Sequence, residues 1–265
     1  MKTNRFFNFK RFYNLLSYDL RINGKRYLSF LAGGIVIFYL ILLIGMINAY
    51  QSFEQNNYNP FFLLSLLGLG IFMGSAFPEL SSKIKTGNYL LLPASTLEKT
   101  ASQFLVYIVF GSTLFLLIFW MDAYFAKWTA LQMKHIQNMG VIIESFQYLG
   151  LLKNFRLSSF WSEVLMVMSV VSAGFFLFTA RLFFKRFALV KSTIVLIAVM
   201  FSFGCYMVLF SHIFYPETTG FNVYFPRYEL SSSLLNYQLY FNILVFPLWI
   251  FFLFLAYYKL KEKQV

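Results

Sequence analysis

Charge is scarce in this sequence. Asp, Glu, Lys and Arg make up only 12% of it, about half of what a soluble globular domain carries, so a water-solvated surface has too little to be built from. Cysteine is reduced to Cys205, which excludes an intrachain disulfide and, within an apolar run, reads as a small buried hydrophobe. Histidine occurs twice, as His135 and His212. Neither has Cys, Asp or Glu at metal-ligand spacing. No G-x-x-x-x-G-K-[ST] stretch is present, so the chain has no phosphate loop with which to hydrolyse ATP itself. No carboxylate pair or nucleophile–base set suggests catalysis, which disfavours a lipid-modifying enzyme.

What is abundant is apolar. Hydrophobic residues reach 59% and phenylalanine alone numbers 36, more than one core of this size can bury. Six stretches meet the roughly 20 apolar residues that a helix needs to cross a bilayer: Leu28–Tyr50, Pro60–Phe77, Ala101–Phe125, Trp161–Phe184, Ala188–Phe214 and Tyr240–Tyr258. The expected fold class is an all-α integral membrane protein: residues 1–27 an amphipathic interfacial segment, residues 28–265 a six-helix transmembrane domain. The first span exceeds the apolar core of a cleaved signal peptide and reads as a retained helix. Asp122, Glu163, Lys191 and His212 fall near span ends, so the span centres offer no relay for protons or sodium ions. In the second span, Gly70 and Gly74 form a G-x-x-x-G pattern that permits close helix packing, within the chain or between two copies.

The formal charge of +12 is distributed in short clusters beside apolar runs. With no polar domain to hold a duplex, nucleic acid is not an expected partner; anionic lipid is. Seventeen of the 22 Lys and Arg residues fall in the N-terminal segment, the second and fourth connections and the C-terminus. The other side of the membrane holds five, Lys127, Lys134, Lys153, Arg156 and Arg227. The positive-inside rule then places both termini in the cytoplasm.

Two segments outside the spans carry structure of their own. Before the first span, Phe9, Phe12, Tyr13, Leu16 and Leu20 recur at helical spacing, with Lys10, Arg11 and Arg21 among the basic residues beside them. Such a helix lies in the membrane interface, rings in the acyl boundary and cations at the headgroups, whether as an orientation anchor or as a moving part. Asn23-Gly24 is expected to end it and turn the chain into the first span. Between spans two and three stands "SSKIKTGNYLLLPASTLEK". Here the second span is expected to continue as helix past Glu79 to Thr86 and stop at Gly87, leaving Tyr89, Leu90, Leu91 and Leu92 as an apolar patch. Pro93 blocks further helix, and Ser95 with Glu98 forms a capping box that starts the third span. The leucines then meet either a partner or the lipid interface. On the other side, Phe221, Tyr224, Phe225 and Tyr228 read as interfacial belt aromatics or as a lid.

Six spans, cytoplasmic termini, an amphipathic leading helix and a structured first cytoplasmic loop together resemble the permease subunits of type-2 ABC exporters. The loop offers Glu79, Lys83, Lys85, Thr86-Gly87, Leu90-Leu91-Leu92, Pro93, Ala94-Ser95 and Glu98. It departs from the family pattern in the reversed order of Thr and Gly, in lysines where acids are common, and in one missing residue before the proline. The resemblance implies a permease in a bacterial inner membrane, as a homodimer or with a second permease, above two separate cytosolic ATP-binding-cassette ATPases. ATP and magnesium would sit on those partners, with no cofactor in this chain. Residues Glu79–Glu98 would form the coupling helix, with Lys83 and Lys85 as rim charges and Leu90–Leu92 packed against the ATPase. The exported substrate would be hydrophobic or amphipathic. The alternative is a membrane scaffold that recruits a cytosolic partner through the same loops without transporting anything.

Overall fold

The computed structural model describes residues 7–49, 52–81, 83–136, 142–148, 160–184, 187–214, 229–231, 234–235 and 247–263. Helix dominates, and in lipid it satisfies every backbone hydrogen bond within its own segment. Eight α-helices are described: α1 Phe9–Ile47, α2 Asn59–Gly74, α3 Lys83–Leu91, α4 Thr96–Phe104, α5 Gly111–Ile136, α6 Phe160–Ala180, α7 Ala188–Phe214 and α8 Leu248–Glu262. A turn of π-helix, Leu105–Phe110, joins α4 to α5. Four helical stretches are long and apolar enough to cross a membrane: Phe9–Ile47, Gln55–Gly74, Thr96–His135 and Ala188–Tyr206. Helix α6 has 21 residues and α8 has 15. The belt aromatics Phe221, Tyr224, Phe225 and Tyr228, and the opening residues of the sixth expected span, lie outside the described residues.

Two hydrophobic clusters hold the bundle. One gathers Leu15, Phe77, Tyr89, Tyr107, Phe178, Leu182 and Leu260 from α1, the α2–α4 connection, the π turn, the end of α6 and α8. The other gathers Leu42, Met46, Phe53, Tyr58, Phe119, Ala126 and Phe146. Leu15 and Leu42 share α1, so at a rise of roughly 1.5 Å per residue these clusters lie about 40 Å apart. That exceeds the roughly 30 Å hydrocarbon core, so each cluster marks one end of the bundle. Helix α1 packs mainly along α5, and α6 lies between α2 and α8. At the second end, a two-residue parallel ladder pairs Ser52–Phe53 with Ile142–Ile143, and Tyr58 donates its hydroxyl to the Glu144 carbonyl at 2.8 Å.

Several boundaries differ from the sequence reading. Asn23-Gly24 does not end the leading helix, since α1 runs through both into the first span without a break. Leu15, Asp19, Asn23 and Tyr27 make contacts along one side of this helix on both sides of Asn23-Gly24, and nothing in the sequence just beyond Gly24 forces a stop. The third span does not finish at Phe125 either. Ala126 and Ala130, both good helix formers and both buried, carry α5 on to Ile136, where Lys134 bonds the Ala49 carbonyl. Asp122 therefore stands well inside a long helix, buried, rather than near a span end. Within α2, a side chain added at Gly70 would meet Leu177 and one at Gly74 would meet Leu189, so both glycines face helices of this same chain. Gly111 answers a tighter demand: a β-carbon there would come within 2.7 Å of the Phe72 ring.

Candidate functional site

The connection between α2 and α4 folds as a bend, a 3-10 turn, a short helix and a capped restart. The bend is at Phe77, whose φ of 52° is left-handed and costly for a residue with a β-carbon. Its N–H donates to Gln103 Oε1 at 2.9 Å, and its ring lies 5.2 Å from that of Phe178. Pro78 follows, and a proline disfavours helical geometry in the residue before it. The expected continuation of the second span through Thr86 is therefore not formed. The chain turns through Pro78–Ser81 and starts α3 afresh at Lys83.

Gly87 is not a stop. It sits inside α3, which ends at Leu91, immediately before Leu92-Pro93. The run of apolar residues is split between two faces. Tyr89 is buried, while Leu90 and Leu92 lean on the first cluster. Leu91 points away and is 83% exposed. Ile84, two helical turns earlier and therefore on the same face, is 79% exposed. Gly87 and Asn88 lie exposed between them, with Lys85 beside Ile84. Lys83 heads the helix, but its side chain lies outside the described residues.

Behind α3 the anchoring is polar. Lys99, fully buried, donates Nζ to the Leu90 carbonyl at 2.9 Å and stands 5.5 Å from the centre of the Tyr89 ring. A cation at a helix C-terminus satisfies a carbonyl that the helix leaves open. The capping box forms as its spacing predicts: Ser95 Oγ accepts from the Glu98 N–H at 3.2 Å, and Glu98 Oε2 accepts from the Ser95 N–H at 2.8 Å. The other oxygen of Glu98 reaches the start of α1. It accepts from the Asn8 N–H at 2.6 Å and pairs with Arg11 Nη2 at 2.9 Å.

Glu79 faces inward too, onto α1. Asn23 Nδ2 donates to Glu79 Oε1 at 2.5 Å and to Asp19 Oδ1 at 2.6 Å, and Tyr27 donates its hydroxyl to Asp19 Oδ2 at 2.9 Å. Burial pushes the Glu79 carboxyl above its ordinary value; the Asn23 bond opposes the rise and the Asp19 charge adds to it. Of the interfacial residues, Phe9, Tyr13 and Leu20 are exposed, Lys10 and Arg21 lie exposed beside them, Phe12 is half-buried, and Leu16 packs on the first cluster.

The sequence reading thus placed Glu79, Ser95 and Glu98 in one segment, and the fold ties each of them to a neighbour. It missed Ile84, Asp19, Asn23 and Gln103. The signal for Asp19 and Asn23 was present, as polar residues four apart on the helix face that Leu15 and Leu16 mark as buried. Among the described residues no three His, Cys, Asp or Glu side chains converge as metal ligands. What the arrangement offers is a short helix held from behind with an apolar outer face. Compared with known proteins, the chain matches no family profile, no curated protein and no solved structure at a significant level.

Proposed function

We propose that this chain is the transmembrane subunit of an ATP-driven exporter and that α3 is the element on which a separate cytosolic ATPase docks. The observation that carries this reading is the outer face of α3, with Ile84 and Leu91 almost fully exposed at its two ends while Tyr89 and Lys99 hold its inner face. A loop that merely joins two spans has no need of a helix anchored along its inner face by a buried tyrosine and a buried lysine. A lever needs that rigidity, because closure of an ATPase pair moves the spans only if the helix between them does not yield. The basic clusters at this end of the bundle support a cytoplasmic side by the positive-inside rule, where an ATPase would be. Lys85 at the rim suits a partner groove with acidic edges. ATP and magnesium belong to that partner, two permeases complete the membrane body, and the exported substrate is a hydrophobic or amphipathic molecule.

The test is co-purification in mild detergent from the native host, with and without chemical crosslinking, for the wild type and for Leu91→Asp. Leu91 touches little else in the fold, so the variant should keep its structure and lose its partner. Recovery of an ATPase that carries a phosphate loop, reduced at least about tenfold by Leu91→Asp, supports docking at α3; that loss is worth about 1.4 kcal/mol of interface energy. An ATPase retained by the folded variant, or none recovered even after crosslinking, sinks the assignment.

A further inference from the structure

Directly behind α3, two carboxylates approach one another with no cation between them. Asp19 on α1 is 3% exposed and Glu79 on the 3-10 turn is 8% exposed. A single nitrogen, Asn23 Nδ2, donates to one oxygen of each, at 2.6 and 2.5 Å. Two acceptors on one donor can be no farther apart than the sum of those bonds, about 5 Å. Among the described residues the ion pairs are Arg11–Glu98 and Lys259–Glu262, so neither carboxylate has a cation in contact. Arg26, whose charge does reach both, donates Nη2 to the Ser75 carbonyl at 3.4 Å instead. The second oxygen of Glu79 accepts no hydrogen bond from any other residue.

The surroundings make up this deficit for Asp19 but not for Glu79. On α1, Tyr27 gives its one proton to Asp19. From α3 comes Tyr89, 3% exposed, whose hydroxyl has no partner and feels the charges of Glu79 and Asp19. Gln103 of α4 adds a further hydrogen bond to Asp19, Tyr107 of the π turn closes another side, and the charge of Arg181, just past α6, acts on Arg26 and Tyr107. Two buried like charges this close oppose each other's ionisation, and a lone carboxylate oxygen without a donor is itself costly. One proton removes both difficulties.

We propose that Asp19 and Glu79 share a single proton, forming a buried proton-binding site that joins α1 to the segment carrying α3. With the proton bound, one carboxyl is neutral, the other keeps the Asn23 amide, and α1 and the 3-10 turn stay together. The proton leaves to water, two negative charges then face each other, and they push the turn away from α1. Such a pair titrates as a unit. The raised carboxyl of Glu79, caused first by burial and then by the Asp19 charge, is in keeping with this. The site stands on this chain alone and does not depend on α3 docking an ATPase.

Infrared difference spectra of the purified full-length chain, taken between acidic and alkaline pH, read the carbonyl stretch of a protonated carboxyl directly. The wild type should show a carboxyl band that titrates away. In both Asp19→Asn and Glu79→Gln the remaining carboxyl, freed of its like-charged neighbour, should bind its proton about tenfold more weakly, a midpoint about one pH unit lower. Asp122→Asn, which removes another buried carboxyl, should leave that band and its midpoint unchanged. A band unmoved in either single variant means that one carboxyl holds the proton alone, and the proposal fails. Absence of any titrating band from the pair in the wild type also overturns it. Should either carboxyl variant misfold, Asn23→Ala keeps both acids and removes the amide that favours their charged forms. Its midpoint should rise; a midpoint that falls or stays put contradicts the shared proton.

Discussion

Arg11 and Glu98 stand 87 residues apart in sequence and 2.9 Å apart in space, guanidinium to carboxylate. The same oxygen accepts the Asn8 N–H that opens α1, and its partner oxygen completes the cap of α4. Glu98 is fully buried, whereas the Arg11 side chain is 35% exposed. Removing the carboxylate strands several donors, so Glu98→Ala should lower stability by about 3 kcal/mol. Arg11→Ala removes a half-solvated partner and should cost about 1 kcal/mol. Chemical unfolding in detergent, followed by far-ultraviolet circular dichroism, measures both. Equal costs would mean that the buried cap is not what fixes the leading helix to the α4 start.

The two faces of α3 make opposite predictions. Tyr89 packs inside the first cluster, and truncating a buried aromatic leaves a cavity, so Tyr89→Ala should cost about 3 kcal/mol or more. Ile84→Asp and Leu91→Asp alter only the exposed face and should stay within about 0.5 kcal/mol of wild type. The same unfolding experiment separates them. A large loss for Leu91→Asp would show that this side chain is buried in the protein as purified, against the docking reading.

What was legible in the sequence depended on the range of the interaction that decides it. The capping box needed only Ser95 and Glu98, three positions apart, and it formed as spacing alone predicts. The apolar stretches likewise announced long helices, and α7 took the bounds Ala188–Phe214 that its sequence suggested. The bend at Phe77 was half legible, since Pro78 warned of it, but the Gln103 side chain that holds it comes from 26 residues away. The leucine run misled because composition does not say which of Leu90, Leu91 and Leu92 faces outward. The phase of α3 decides that, and the phase follows from where the 3-10 turn releases the chain. Asp19 and Glu79 are 60 positions apart by number, and no local pattern joins them; only the return of α2 alongside α1 does.

Stability should fall as pH rises, and Glu79 sets the direction. Burial lifts its carboxyl above the ordinary value of 4.5 in the folded chain. The fold therefore favours the protonated form. That contribution is complete below the unfolded value, shrinks as pH climbs through the folded value, and is absent above it. The melting temperature of the wild type should decline across this range, measured from about pH 4 to about pH 9. Glu79→Gln has no proton to lose at this position and should give a flatter profile with a higher alkaline melting temperature. A steeper decline in the variant would reverse the sign and place the charged carboxylate among favourable contacts.

Gly87 separates the two accounts of this loop most simply. As a helix stop in a left-handed conformation it would resist any β-carbon, and Gly87→Ala would be destabilising. In the middle of α3, with nothing within 4 Å of an added methyl group, alanine instead removes the backbone freedom that makes glycine a poor helix residue. Gly87→Ala should then stabilise the chain by about 0.5 to 1 kcal/mol, read as a rise in the unfolding midpoint. Because Gly87 also lies on the exposed face between Ile84 and Leu91, the same variant probes docking. A partner that packs closely over the glycine will bind the stabilised variant less well, whereas one that touches only the two apolar ends will bind it unchanged. A loss of stability would return Gly87 to the role of a stop and move the start of the outer face to Tyr89.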